Sequence, residues 1–535
     1  AAATFITSCD IERMPYDKYT EDKIMEDKDA AVDVLLNGCY AKLKTASEHL
    51  HYCGEFPGDN VCKDKPTTNP FGTYFTYQHT VNNGGLSTVW ISAYNIISQT
   101  SSLMKMINEN ESPELNQKLG EAYYMRGMMY FYLCRVFGRP YYQEPERNLG
   151  VPIVNGMPED MDNLDLPDRS SVKDTYEQVL SDLKKAEELM SDFKSPAYAS
   201  KYAAQALLAK VYMYMSGTFE NPNKEYAQLS YNYANEVIES NQFSLLSRST
   251  FMTYNELAPD AASQTETIFA VKFIASDWDD WGSPLGSMYA EIDGQGWGEV
   301  YASAKYMDLL HETGKNTDAR EAFIHPQYKK NDAGDQIPAF RFVANLYTDG
   351  KISGYVYRQG ETKEVGGKLI ATVDDEEYTL TPVDVDNKRY SISYKGKTYV
   401  GDYDYLMLES QGNPKFYSYK CSKQEGYPHL YSPVISRLGE LYLIRAEASA
   451  KLGNYTKALA DLNTVRTLPN AGYKSLDATN AHELIMKERQ LELAYEADRG
   501  FDVYRVGDTM KRHYPGFHDG VPEYPATSPL AIQYI

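Results

Sequence analysis

Between positions 277 and 297 the chain sets Trp278, Trp281, Tyr289 and Trp297 among Asp277, Asp279, Asp280, Gly282, Gly294 and Gly296. Three of the four tryptophans of the whole sequence fall in this stretch, so the rings are concentrated rather than spread through a core. Aromatic rings beside amides and carboxylates suit a ligand with one apolar face and a hydroxylated edge. The C–H face of a pyranose stacks on a ring while its hydroxyls meet polar groups. The surrounding Asp and Gly are loop formers that rarely enclose a core tryptophan, which makes Trp281 and Trp297 the candidate stacking residues. A second aromatic loop, from Gly54 to Gly85, carries Phe71, Tyr74, Phe75 and Tyr77 between Pro57, Pro66, Pro70 and Gly72. A loop this long covers something or binds something.

Other chemistries find less support in the residues. A glycosidase needs two carboxylates at a fixed separation, and no pair declares itself; Asp277, Asp279 and Asp280 equally suit a solvated acidic loop. There is no G-x-S-x-G elbow, H-E-x-x-H pair or G-x-x-x-x-G-K-[ST] phosphate loop, and the nine histidines are dispersed. Asn331–Asp335 and Asp384–Asn387 are oxygen-rich, but neither completes a twelve-residue calcium loop, so both are expected to be solvated turns and no cofactor is expected. Six cysteines without a C-x-x-C pair argue against zinc or redox chemistry. A net charge of −22 opposes nucleic acid as a partner, and no run of about 18 apolar residues marks a membrane span.

These loops need a frame, and the spacing of apolar residues predicts one built from helices. Val32, Leu35, Leu36, Cys39 and Leu43 mark a helix over 29–50, and Tyr94, Ile97, Leu103 and Ile107 another over 90–107. Helical periodicity then pairs 117–142 with 172–190, and 197–215 with 225–239. A third pair lies in Ile435–Arg466, where Gly453-Asn454 interrupts two helices rich in Leu and Ala. Paired helices with small residues at their contacts predict a mainly α, tetratricopeptide-like repeat scaffold with a loop-rich face. From about 265 to 431 the helical spacing gives way to Gly, Asp, Asn and Tyr. Strands are expected at Thr267–Phe273 and over 368–405, with Lys395-Gly396 turning a hairpin, as a small β insertion. The 47 tyrosines mostly suit packing between helices, their hydroxyls meeting nearby carbonyls.

The last third also resembles a known family. Arg437, Glu440, Arg445, Ala446, Glu447, Asn463, Arg466, Glu488, Arg489, Glu492, Glu496 and Arg499 stand where the SusD/RagB family of outer-membrane glycan-binding lipoproteins has its C-terminal signature. Glu121, Ala122, Arg126, Tyr130, Phe131, Leu133, Gly138 and Pro140 are similar to an earlier helix of that family. The resemblance implies a ligand lying across the regions Asp59–Trp90 and Trp278–Trp297. The candidates there are Trp281, Trp297, Trp278, Tyr289, Trp90 and Tyr74 as rings, and Asp59, Asn60 and Lys63 for hydroxyl contacts. It further implies a non-catalytic surface lipoprotein of a Gram-negative outer membrane that delivers sugar to a SusC-like TonB-dependent transporter.

With that resemblance in view, Ile6-Thr7-Ser8 before Cys9 reads as a loose lipobox, Cys9 as the lipidated residue and 1–28 as signal remnant and tether. Residues 29–535 are expected to form a single unit around the insertion at about 265–431. A tetratricopeptide-type protein adaptor and, further off, a glycoside hydrolase are the alternatives.

Overall fold

The structure, a computed structural model, describes residues 28–63, 71–78, 82–154, 166–277, 284–518 and 521–529. Its helical part runs through α1 (Lys28–Glu55), α2 (Gly84–Met106), α3 (Pro113–Phe137), α4 (Val172–Leu189), α5 (Lys201–Met215) and α6 (Lys224–Glu239). After a long excursion come α7 (Leu438–Lys451), α8 (Tyr455–Arg466), α9 (Ala481–Glu492) and α10 (Arg499–Arg505). Local chemistry sets the starts. Ser112, Ser171 and Ser200 accept from the amides of Leu115, Asp174 and Ala203, Asn223 and Asn454 from those of Tyr226 and Lys457, and Pro113 opens α3.

From α2 to α8 each of these helices packs on the one before it, and the run is unbroken by the excursion because α7 lies against α6. Small residues make this close approach possible. Ala203, Ala204, Ala206 and Ala209 on α5 and Ala446, Ala448 and Ala450 on α7 are all buried. The short helix α10 returns to pack on α1, joining the two ends of the described chain. Among the described residues no helix is long and apolar enough to cross a membrane.

The excursion between α6 and α7 is closed at its base by Thr267–Ala270, which pairs antiparallel with Val434–Arg437. Short helices, Pro284–Tyr289 and Ala304–Leu310 among them, lie within it, where the helical spacing is absent from the longer windows of the sequence. Its strands are more extensive than expected. A seven-stranded antiparallel sheet is formed by β1 (Pro338–Thr348), β2 (Lys351–Val365), β3 (Lys368–Val373), β4 (Glu376–Thr379), β5 (Thr381–Asp384), β6 (Arg389–Tyr394) and β7 (Lys397–Tyr405), in the order β4-β3-β2-β1-β7-β6-β5. The sheet thus starts thirty residues before the expected boundary at 368. The expected hairpin is present: Tyr394 faces Lys397, and Lys395 and Gly396 turn with φ of 48° and 77°. Asn331 and Asp384 spend their side chains on their own turns, accepting from Ala333 and Asp335 and from Asn387 respectively.

Candidate functional site

Trp297 is 47 % exposed, a large fraction for an indole, and the turn that carries it is tightly held. The amides of Trp297 and Gly298 both donate to the Ser287 carbonyl, at 2.8 and 2.9 Å, and the Glu299 amide donates to that of Met288 at 3.0 Å. Ile292 and Gln295 exchange backbone hydrogen bonds across the tip. The ring therefore stands on a fixed backbone rather than on a loose loop.

Directly after this turn, Val300–Ala302 pairs antiparallel with Val61–Lys63, Lys63 opposite Val300 and Val61 opposite Ala302. Lys63 forms an ion pair with Glu299. The two aromatic segments singled out in the sequence thus meet at a common two-stranded base. Phe56 of the Gly54–Gly85 segment and His51 of α1 just before it touch the Tyr289 ring, and His51 Nε2 lies 2.7 Å from the Tyr289 hydroxyl. Burial holds the His51 pKa down to about 3, so that ring stays neutral.

Most of the individual residues proposed for ligand contact prove to be interior. Tyr289 and Tyr74 have no exposed surface, and Asp59, Asn60 and Lys63 are at most 1 % exposed. Asp59 is held by Arg499 at 2.6 Å and by Lys305; Asn60 bridges Glu55 and Gln490. Burial opposes the Asp59 charge, but the two cations outweigh it and hold its pKa below the ordinary carboxylate value. These five are corrected from ligand contacts to structural ties, because their polar atoms are turned inward onto partners. Trp90 is half-buried between Tyr94 and Phe137, with ring centroids 4.8 and 5.1 Å away, and serves helix packing. Trp278, Trp281 and Cys9 lie outside the described residues. Asp277 pairs with Lys44 at 2.6 Å and accepts from the Ile274 amide.

The charged residues of the C-terminal pattern form an internal network. Arg437 contacts Glu266, Glu492 and Glu496, at 2.7, 2.8 and 2.9 Å; Arg320 contacts Asp318, Glu488 and Glu492. Arg466 joins Glu488, Arg489 joins Asp502, and Arg505 and Lys451 share Glu447. Burial would raise the Glu496 pKa, yet Arg437 and Lys420 bring it down to about 2. Asn463 both accepts from the Tyr473 amide and donates to its carbonyl. Earlier in the chain Arg126 grips Asp182, and Glu121 accepts from the Tyr40 hydroxyl. These side chains bind the fold together and are not presented to a ligand.

A cleft of about 1020 Å³ opens beside α9, with Tyr455, Thr479, His482, Lys305, Glu483 and Lys511 among its lining residues. Sequence reasoning missed it because its walls come from widely separated segments, none with a motif of its own.

Residues 13–213 match the family described as starch-binding and associating with the outer membrane, and residues 265–529 match the SusD family. SusD-like protein P2 of Formosa agariphila is 24% identical over 500 residues, 89% of this chain and 83% of its own length. Among solved structures, a SusD superfamily protein from Bacteroides thetaiotaomicron superposes with a TM-score of 0.69 at 22% identity, covering 94% of this chain and 95% of that one. A structure described as a putative sugar binding protein from Bacteroides vulgatus gives 0.67 at 23% identity, covering 94% of each chain.

Proposed function

We propose that this chain, which belongs to the SusD/RagB family, is a non-catalytic glycan-binding lipoprotein exposed on the outer membrane of a Gram-negative bacterium, where it passes oligosaccharide to a SusC-like TonB-dependent transporter. The observation that carries the binding is the half-exposed Trp297 indole on a backbone fixed by Ser287 and Met288. A rigid ring loses little freedom when a sugar stacks on it, so the contact is favoured over one made by a mobile side chain. Trp278 and Trp281 belong to the same proposal as further candidate stacking residues.

In this reading the paired helices are a tetratricopeptide-like scaffold and residues 29–535 one unit, supported by the continuity of packing from α1 to α8 and the return of α10 to α1. Cys9 carries the lipid, and 1–28 is signal remnant and tether, the tether following Cys9 and running to the start of α1 at Lys28. No cofactor is needed for binding or delivery.

Affinity electrophoresis through gels containing soluble starch, xylan, galactomannan or pectin tests the binding. Retardation in at least one gel without release of reducing ends is expected; release of reducing ends would make the protein a hydrolase. Absence of retardation in all four, together with capture of a peptide partner, would favour an adaptor. Mass spectrometry of membrane-derived protein tests the anchor, and an unmodified Cys9 would end that part of the proposal.

A further inference from the structure

We propose that His429 is the positioning residue of the Trp297 platform, the group that sets where the indole stands; the inference rests on the reading of Trp297 as a sugar-stacking ring. His429 is 3 % exposed and is wedged between two glycines. On one side is Gly286 in the helix Pro284–Tyr289, where a Cβ would lie 3.2 Å from His429 Nδ1. On the other is Gly296, the residue before Trp297, where a Cβ would overlap His429 Nε2. The imidazole occupies this space together with the Cys421 carbonyl and Ser422 hydroxyl beside Gly286 and the Ala290 carbonyl beside Gly296.

Both ring nitrogens are used. Nε2 lies 2.8 Å from the Gln295 carbonyl, and since a carbonyl only accepts, Nε2 carries the proton. Nδ1 is then the acceptor for the Ser422 hydroxyl, 3.4 Å away. Burial keeps the pKa of the ring below its ordinary value, which preserves this neutral tautomer. The two anchors fall on either side of Gly296: His429 holds the Gln295 carbonyl, and Ser287 holds the Trp297 amide at 2.8 Å. Gly296 itself has φ of 97°, a conformation that side chains rarely adopt. Without the imidazole, the turn loses its spacer and one anchor together, and is free to settle toward Gly286, taking the indole with it.

The test is a double-mutant cycle combined with a direct report on the ring. In protein labelled with 5-fluorotryptophan, the Trp297 fluorine resonance is assigned by Trp297→Phe and compared in wild type and His429→Ala. The resonance is expected to shift or broaden, and retardation in gels containing soluble starch, xylan, galactomannan or pectin is expected to weaken by roughly fivefold or more, matching a stacking contact. In a Trp297→Ala background, His429→Ala should cause no further loss, because its effect passes through the indole. His429→Gln, which keeps an N–H donor for the Gln295 carbonyl, should recover part of the binding. An unmoved resonance, or losses that add in the double variant, would overturn the inference. If Trp297→Ala alone leaves retardation unchanged, the platform reading falls, and the resonance still decides whether His429 holds the ring. Should His429→Ala fail to fold, His429→Leu, which fills the space but offers the Gln295 carbonyl no donor, provides the comparison, and a Trp297 resonance unmoved by it would count against the proposal.

Discussion

Arg437 and Glu496 form a two-pronged pair, Nε to Oε2 at 2.9 Å and Nη2 to Oε1 at 3.0 Å, with both side chains at most 5 % exposed. Arg437 ends the strand Val434–Arg437 that closes the central excursion, and Glu496 lies in the connection between α9 and α10. One guanidinium thus fastens the base of the excursion to the C-terminal helices. Such a pair gains little over a well-packed apolar substitute, but removing one partner strands the others in a medium that cannot solvate them.

Arg437→Ala is accordingly expected to cost about 3–5 kcal/mol, since Glu266, Glu492 and Glu496 each lose a cation. Urea denaturation measures it. A loss below about 1 kcal/mol would place the network in the class of surface ion pairs.

Trp297→Ala and Tyr289→Ala should part ways. The first removes a half-exposed ring and is expected to weaken glycan binding about fivefold with little change in melting temperature; the second empties a fully buried site at a cost of about 3–5 kcal/mol. Measuring both quantities for both variants checks it, and a large melting loss in Trp297→Ala would assign that ring to the core.

Glu55 gives a pH dependence with a definite sign. Burial pushes its carboxyl from the ordinary 4.5 up to about 7, so the folded state holds this proton more tightly than the unfolded chain. Its contribution is fully present below about pH 4.5 and is lost as pH rises through about 7, amounting to at most about 3 kcal/mol. Glu55→Gln should flatten the stability profile between those limits. A slope unchanged by the substitution would show that other groups carry it.

Asp59→Asn separates structure from recognition at a residue that the sequence placed near the ligand. Arg499 and Lys305 lose their shared carboxylate charge, and a fall of about 3 kcal/mol in stability is expected with glycan affinity unchanged in the folded protein. Calorimetry on the same sample reads both, and a loss of affinity at full stability would return Asp59 to the binding site.

What could be read in advance depended on how far apart the interacting residues lie. The Lys395-Gly396 hairpin is legible because a two-residue turn requires both to take positive φ, a local demand. Helix pairs were legible from periodicity and from caps such as Ser112 and Asn454. The strand Lys351–Val365 was missed because charged residues and Gly354 and Gly360 obscure its alternation. Asp59 and Lys63 look like exposed loop residues because their partners Arg499 and Glu299 lie 440 and 236 positions away. The exposure of Trp297, by contrast, is legible from its immediate glycine neighbours, whereas His429 has no local signal to connect it with that turn.

The return of α10 onto α1 has a consequence for biogenesis. Asp59 emerges early in synthesis, and Arg499, which neutralises it, is made 440 residues later. A chain interrupted before α10 holds an acid meant for the interior with half of its counterions missing, and α1 with one packing face bare. Synthesis of α10 is therefore a checkpoint. Products ended before α10 should stay open to proteases, while chains that include it close α10 back onto α1.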